Sequence, residues 1–272
     1  MPKNPLIKEH PTMSINAIFL FAPAETADAA TGPAAFAISL AKAYGAHLTI
    51  FTVALDVTTP GRSVDAAGVA ATLSAAATAA SVPVTLVTEH SHAIGIHEVV
   101  AEHARLHDIS VIGSNADGLL SERTLAEHLM FESGRPLIVV PQTHSAPYQP
   151  GMIAAAWDNG APAARALGDA ITLFAPAKMA LLAIEGEKPM PTDIDHDRLA
   201  MLISRRGTEA SFKVAPLGNR SIGGALQAEA AASGAGMLAM GAFGHSRLRR
   251  FVLGSATGDI LKNCEMPVLL SH

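Results

Sequence analysis

The sequence predicts an α/β protein of two tandem, doubly wound domains, each a five-stranded parallel sheet flanked by helices. Three observations carry that expectation. Short, continuously apolar runs alternate with segments of helical periodicity along the whole chain, the signature of parallel strands covered on both faces by helices. The order of elements restarts after a polar, proline-containing stretch, Gln142–Pro150. The strands that close the two passes also correspond, GRPLIVVP at Gly134–Pro141 and EMPVLLSH at Glu265–His272. That spacing marks a duplicated domain rather than a short solenoid repeat. The expected domains are residues 13–142 and 149–272.

The elements follow in order. Ile15–Phe21 and Leu48–Val53 are strands. Between them, Phe36, Leu40 and Tyr44 recur every fourth residue within Ala34–Tyr44, one face of a helix. A Pro/Gly/Thr stretch at Thr58–Arg62 breaks the pattern. Ala66–Ala80 is alanine-rich and helix-permissive. Val82–Thr88 is β-branched and strand-like. Ile96–Leu106 has helical spacing, and Ile109–Gly113 and Leu137–Val140 are buried strands. In the second pass Ile153–Trp157, Ala180–Ile184, Ser211–Ala215, Met237–Met240 and Val268–Leu270 are strands. The helices are the stripe Ala163, Leu167, Ala170, Ile171, Phe174, then Asp193–Arg206 with Leu199, Leu202 and Ile203 turned inward, Ile222–Ala232 and Ala256–Cys264.

Composition narrows the function classes. Hydrophobic residues make up 49% of the 272 and charged residues 16%, enough for a large core. The formal net charge of −5 gives no global attraction for nucleic acid or an anionic membrane. The apolar run Ile15–Ala22 is too short to span a bilayer and is expected to be a strand. A single cysteine, Cys264, rules out a disulfide framework and fits a reducing, cytoplasmic location.

Right-handed crossovers place all strand C-terminal ends of a domain on one edge, where ligands bind in open α/β sheets. The segment MGAFGHSRLRRFVLGSATGD, Met240–Asp259, opens at that edge after the fourth strand of the second half. Gly241 and Gly244 let the backbone turn and approach a ligand. Gly254 and Ser255 stand before the next helix, whose free N–H groups favour an anion. Ser255 and Thr257 add hydroxyls. His245, Arg247, Arg249 and Arg250 screen negative charge or form a solvated stripe.

Gly241-x2-Gly244-x9-Gly254-Ser255 resembles the nucleotide-binding signature of the universal stress protein family, and WDNGAPAARAL at Trp157–Leu167 resembles that family's first strand ending in Asp and its first helix. The resemblance implies a tandem protein of this family with a Rossmann-like fold of the adenine nucleotide alpha hydrolase type. It implies ATP, or ADP or AMP, with Mg²⁺ accompanying the nucleotide. By resemblance Asp158 lies near adenine and ribose, and Ala183 or Ile184 packs near the base. Met240, Gly241, Gly244, Gly254, Ser255, Ala256 and Thr257 contact ribose and phosphates.

The first half departs from this pattern. Its first strand ends FLFAPAE, with Ala22 or Pro23 where Asp is expected. After its fourth strand Gly113 remains, but Ala116 stands at the second glycine, and Arg123-Thr124 falls opposite Gly254-Ser255. No nucleotide is expected there. The half is expected to pair intramolecularly with the second half, and a homodimer is allowed.

Other signals are weaker. Gly234-Ala-Gly236 precedes its strand, whereas a dinucleotide fingerprint must follow one. No P-loop and no G-x-S-x-G elbow occurs. His103 and His107 lie four apart, and His90 and His92 two apart, spacings that can ligate a metal but more often mark ordinary polar histidines. Cys264 is expected to be a buried structural thiol. With no general base or carboxylate pair for Mg²⁺, hydrolysis is expected to be slow at most, and the nucleotide acts as a conformational signal in stress response. The alternative is a stress protein without nucleotide, acting through protein–protein contacts or on a small lipid or metabolite.

Overall fold

A computed structural model describes residues 15–23, 28–55, 65–91, 95–114, 122–149, 151–185, 196–242 and 256–272. The first half contains β1 (Ala17–Phe21), α1 (Gly32–Tyr44), β2 (His47–Leu55), α2 (Ala66–Ala79), β3 (Val84–Ser91), α3 (Ile96–Ala104), β4 (Ile109–Gly113), α4 (Glu122–Glu132) and β5 (Leu137–Val140). The second contains β6 (Met152–Ala156), α5 (Ala161–Phe174), β7 (Lys178–Ile184), α6 (His196–Ser204), β8 (Glu209–Ala215), α7 (Ile222–Ala232), β9 (Met237–Gly241), α8 (Ala256–Lys262) and β10 (Val268–Ser271).

The two passes form one ten-stranded sheet in the order β3-β2-β1-β4-β5-β10-β9-β6-β7-β8. Each half has strand order 3-2-1-4-5 in its own numbering, and its strand pairs are parallel. The halves meet through one antiparallel pairing, Val268 opposite Val139 and Leu270 opposite Leu137. The antiparallel seam turns the ligand edges of the two halves in opposite directions.

Two apolar layers cover the sheet. One holds Phe36 and Leu40 of α1, Leu73 of α2, Leu167 and Phe174 of α5 and Ile203 of α6. The other holds Ile96 and Val100 of α3, Leu125 and Leu129 of α4, Leu226 of α7 and Ile260 of α8. Alternation along β10 distributes the side chains, with Val268 and Leu270 facing the second layer and Leu269 the first.

Several elements differ from expectation. One residue of the linker is part of the core: Tyr148 is buried, and its N–H donates to Ser39 Oγ at 2.8 Å. The Tyr148 and Tyr44 hydroxyls lie 2.9 Å apart, and Tyr44 donates to the Phe174 carbonyl at the end of α5. Leu202 is 46% exposed, not turned inward, because α6 lies over the last strand of the sheet, with no further element outside it among the described residues. The last helix ends at Lys262, so Cys264 follows it rather than sharing its apolar face. Arg123 and Thr124 lie in the first turn of α4, not in a loop before it.

Burial holds the imidazoles of His97, His107 and His144 below their ordinary value of 6.5. For His97 the neighbouring His128 adds to the effect, whereas for His107 the His103 carbonyl opposes it. A depressed histidine value means that the unfolded chain binds more protons just below pH 6.5. Stability should therefore fall as pH drops from 7 toward 5. Thermal midpoints across that range check this, and the slope should be shallower in His107→Gln.

Candidate functional site at the C-terminal edge of the second half

β6 and β7 are locked in register from Met152 opposite Lys178 to Ala156 opposite Leu182. Beyond that, Trp157 N–H donates to the Leu182 carbonyl at 2.7 Å, which carries the pairing one residue past the strand. β9 flanks β6 on the other side, Ala155 opposite Ala239. Asp158, Ala183, Ile184, Met240 and Gly241 thus end three adjacent strands on the same edge.

Asp158 opens a tight turn. Its Oδ1 accepts the Gly160 N–H at 2.8 Å, an Asx turn leading into α5. Asn159 adopts a left-handed φ of 59°, and Pro162 follows in the first turn of the helix. A Cβ at residue 160 would stand 2.8 Å from Asp158 Oδ1, so glycine there leaves the carboxylate free to hold the turn. Asp158→Ala should cost about 1 kcal/mol, and Asp158→Asn less than half of that, because it keeps an acceptor oxygen. Urea unfolding of the two variants checks the ranking.

Ala183 and Ile184 are both buried at the end of β7, and Ile184 belongs to the layer under α7 and α8. Met240 is buried in that layer as well. Gly241 faces the other way, against the first turn of α5. Its φ is outside the left-handed region, so space rather than backbone freedom calls for glycine. A Cβ there would lie 2.5 Å from Ala163 N and would also meet the Pro162 carbonyl carbon. Ala256 begins α8, and Thr257 is buried at 3% exposure. Gly223 of α7 lets that helix approach α8, since a Cβ would stand 3.0 Å from the Ala256 carbonyl oxygen. Gly244, Gly254 and Ser255, with His245, Arg247, Arg249 and Arg250, lie outside the described residues.

Two features of this edge went unread in the sequence. The indole Nε1 of Trp157 is buried and has no hydrogen-bond partner among the described residues. His272 reaches back along the edge, with Nδ1 3.0 Å from the Ala242 carbonyl oxygen and its ring 4.7 Å from that of Phe131 in α4. The sequence places Trp157 at a strand end but says nothing of its indole N–H, and His272 belongs to no spacing pattern that would have signalled it.

Register also fixes the equivalent positions in the first half. Ala22 N–H donates to the Phe51 carbonyl at 2.9 Å, as Trp157 does to Leu182. Ala22 therefore corresponds to Trp157, and Pro23 stands in place of Asp158. Proline supplies neither a carboxylate nor a backbone N–H. Gly113 corresponds to Gly241, each ending the fourth strand of its half. Ala116 is outside the described residues.

The remaining candidates have other employment. His107 lies with Nδ1 2.8 Å from the His103 carbonyl oxygen and Nε2 2.9 Å from Thr49 Oγ1, and the His103 ring lies tilted against Phe51 with centroids 4.9 Å apart. Among the described residues no group of three or more His, Cys, Asp or Glu could hold a metal. His92 lies outside them, and only the backbone of His90 is described. The Cys264 thiol donates to the Met266 carbonyl at 3.1 Å, and burial pushes its pKa up to about 12. No described helix is long and apolar enough to cross a membrane.

The fold defines a doubly wound α/β protein. The comparisons are more particular. Residues 217–272, from the loop before α7 to the end of β10, match the model of the Universal stress protein family. The whole chain shares the fold of a universal stress protein from Archaeoglobus fulgidus, at 12% identity and a TM-score of 0.66, over 96% of this chain and 99% of that one. A protein of unknown function from Pseudomonas aeruginosa matches at 14% identity and a TM-score of 0.60, over 96% and 93%. No curated protein matches the chain.

Proposed function

We propose that the chain is a tandem universal stress protein whose second unit, 149–272, binds one adenine nucleotide, while the first, 13–142, binds none. The observation that carries this is the asymmetry of the two edges: Asp158 ends the first strand of the second half, and Pro23 occupies the same register in the first. Ala183 and Ile184 offer the base an apolar wall at the end of β7. Met240, Gly241, Ala256 and Thr257 flank the segment that contains Gly244, Gly254 and Ser255, for which the glycine spacing suggests phosphate contacts.

ATP, with Mg²⁺ carried on its phosphates, is the ligand we favour over ADP or AMP. The described residues offer Thr257 as a hydroxyl and Asp158 as a carboxylate, but no carboxylate pair for Mg²⁺ and no oriented base. Hydrolysis is therefore slow at most, and the nucleotide serves as a conformational signal in stress response. The lone thiol Cys264 fits a cytoplasmic setting.

Calorimetry with ATP tests the reading on folded wild type and on Gly254→Val. The expected result is saturable binding at about one site per chain, lost in the variant. Two equivalent sites would overturn the silent first half. No binding of any adenine nucleotide would shift the function to partner contacts or another small molecule.

A further inference from the structure

We propose that His97 and His128, which meet where α3 packs on α4 in the first half, form a two-ligand site for a divalent transition-metal ion such as Zn²⁺ or Ni²⁺. The proposal does not depend on nucleotide binding.

α3 and α4 pack against each other on one face of the sheet. Ile96 and Val100 of α3 and Leu125 and Leu129 of α4 are buried in that layer and hold the two helices together. His97 lies in the first turn of α3, and His128 follows Glu127 on α4. Their rings come together at the margin of the layer, with centroids 5.9 Å apart and planes inclined at 48°. An ion held at about 2.1 Å by one nitrogen of each imidazole sets two ring centroids roughly 5 to 6 Å apart. The observed spacing therefore suits a shared ion without movement of either helix.

The chemistry of the donors agrees. His97 Nε2 is buried and has no hydrogen-bond partner among the described residues. A ring nitrogen taken out of water without a partner carries a desolvation cost, which coordination would offset. Burial first, and His128 second, hold the His97 imidazole below its ordinary value of 6.5. It is thus neutral at pH 7, the form that ligates a metal. His128 is half-buried, so water can complete the coordination. A cation beside a helix N-terminus is opposed by the helix dipole, and Glu98, the acidic residue in the first turn of α3, counters that effect. Two protein ligands, rather than the four of a structural zinc site, make the ion exchangeable.

The duplication shows that this is a point of close approach in both halves. Ile96 and Ile222 each open their helix, so His97 corresponds to Gly223. Leu137 and Val268 each open the closing strand, and counting back from them His128 corresponds to Asp259. Gly223 and Asp259 are in contact too: the Gly223 N–H donates to Asp259 Oδ2 at 3.5 Å, and a Cβ on Gly223 would stand 2.7 Å from Asp259 Cβ. The same crossing point thus carries glycine and aspartate in the second half and two imidazoles in the first. Other histidines are committed elsewhere. His47 Nε2 lies 2.9 Å from Thr85 Oγ1, both nitrogens of His107 are engaged, and His272 Nδ1 meets the Ala242 carbonyl.

Calorimetric titration of the full chain with Zn²⁺, repeated with Ni²⁺, tests the site. The expected result is saturable binding of about one ion per chain in the micromolar range. His97→Gln and His128→Gln should each weaken it at least about tenfold, and the double variant should bind no worse than either single one, because both side chains act on one ion. His144→Gln should leave binding unchanged. Saturating Zn²⁺ should raise the thermal midpoint of the wild type and not that of the two pair variants. Circular dichroism verifies that each variant folds, and His128→Gln, at the more accessible position, carries the test if His97→Gln does not. No binding of either ion by the folded wild type would overturn the proposal. So would binding that survives substitution of either residue, which would mark an adventitious ion only.

Discussion

Tyr148→Ala is expected to lower stability by about 4 kcal/mol, the usual loss for a large buried ring, although the residue sits in a stretch that reads as a linker. The ring is buried at 8% exposure among Phe36, Tyr44 and Phe174, with centroid separations of 5.9, 5.8 and 6.0 Å. Those partners come from α1 of the first half and α5 of the second, so the ring fills the seam between them. The hydroxyl adds a second contribution through Tyr44, whose own hydroxyl donates to the last carbonyl of α5. Removing the ring opens a cavity that neither helix can close without shifting against the sheet. Tyr148→Phe should cost only about 1 kcal/mol, since Tyr44 keeps its bond to Phe174. Guanidinium unfolding of both variants separates the two terms. Equal, small losses would mean that the seam is held by β5 and β10 alone.

Burial also pushes the Tyr44 and Tyr148 phenols above their ordinary value of 10, so neither ionises within the physiological range. The paired hydroxyls act as neutral donor and acceptor. They give the seam a directional element that apolar packing lacks.

The strands were legible because both faces of the sheet are covered, which makes each a continuous apolar run. β4 and β5 match their expected bounds to the residue. The duplication was legible from the similar closing strands. The single ten-stranded sheet was not, because the antiparallel meeting of β5 and β10 is an edge contact between residues far apart in sequence, and no local pattern encodes it. Tyr148 was missed for a related reason: proline and polar neighbours describe the local backbone, while its burial comes from helices on either side. Leu202 was misplaced because helical periodicity shows which residues share a face, not whether an element exists to cover it. The place of Asp158 just past a strand end was legible from the strand that precedes it. Its backbone partner, Gly160, emerges only from the turn geometry. The choice between Ala22 and Pro23 required the hydrogen-bond register.

Gly241→Val should destabilise the second half by about 3 kcal/mol or more, the upper range for overpacking a core, and should do so without any ligand present. The sequence assigns this glycine to a turn that approaches a ligand. The structure gives it a different constraint. Its φ is ordinary, so a side chain meets no backbone penalty there. The obstacle is α5, since a Cβ would lie 2.5 Å from Ala163 N and 2.7 Å from Pro162 Cβ. Backbone atoms cannot swing aside as the tip of a flexible side chain can. The helix must lift, and its far end is pinned by Phe174 in the seam and by the Tyr44 hydroxyl. Lifting the near end also displaces the turn in which Asp158 holds Gly160. Gly241→Ala, which adds only the Cβ, should therefore already lower the thermal midpoint, and Gly241→Val should lower it further. If Gly241→Ala left the midpoint unchanged and impaired only ATP binding, the glycine would be there for the ligand and the packing account would fail.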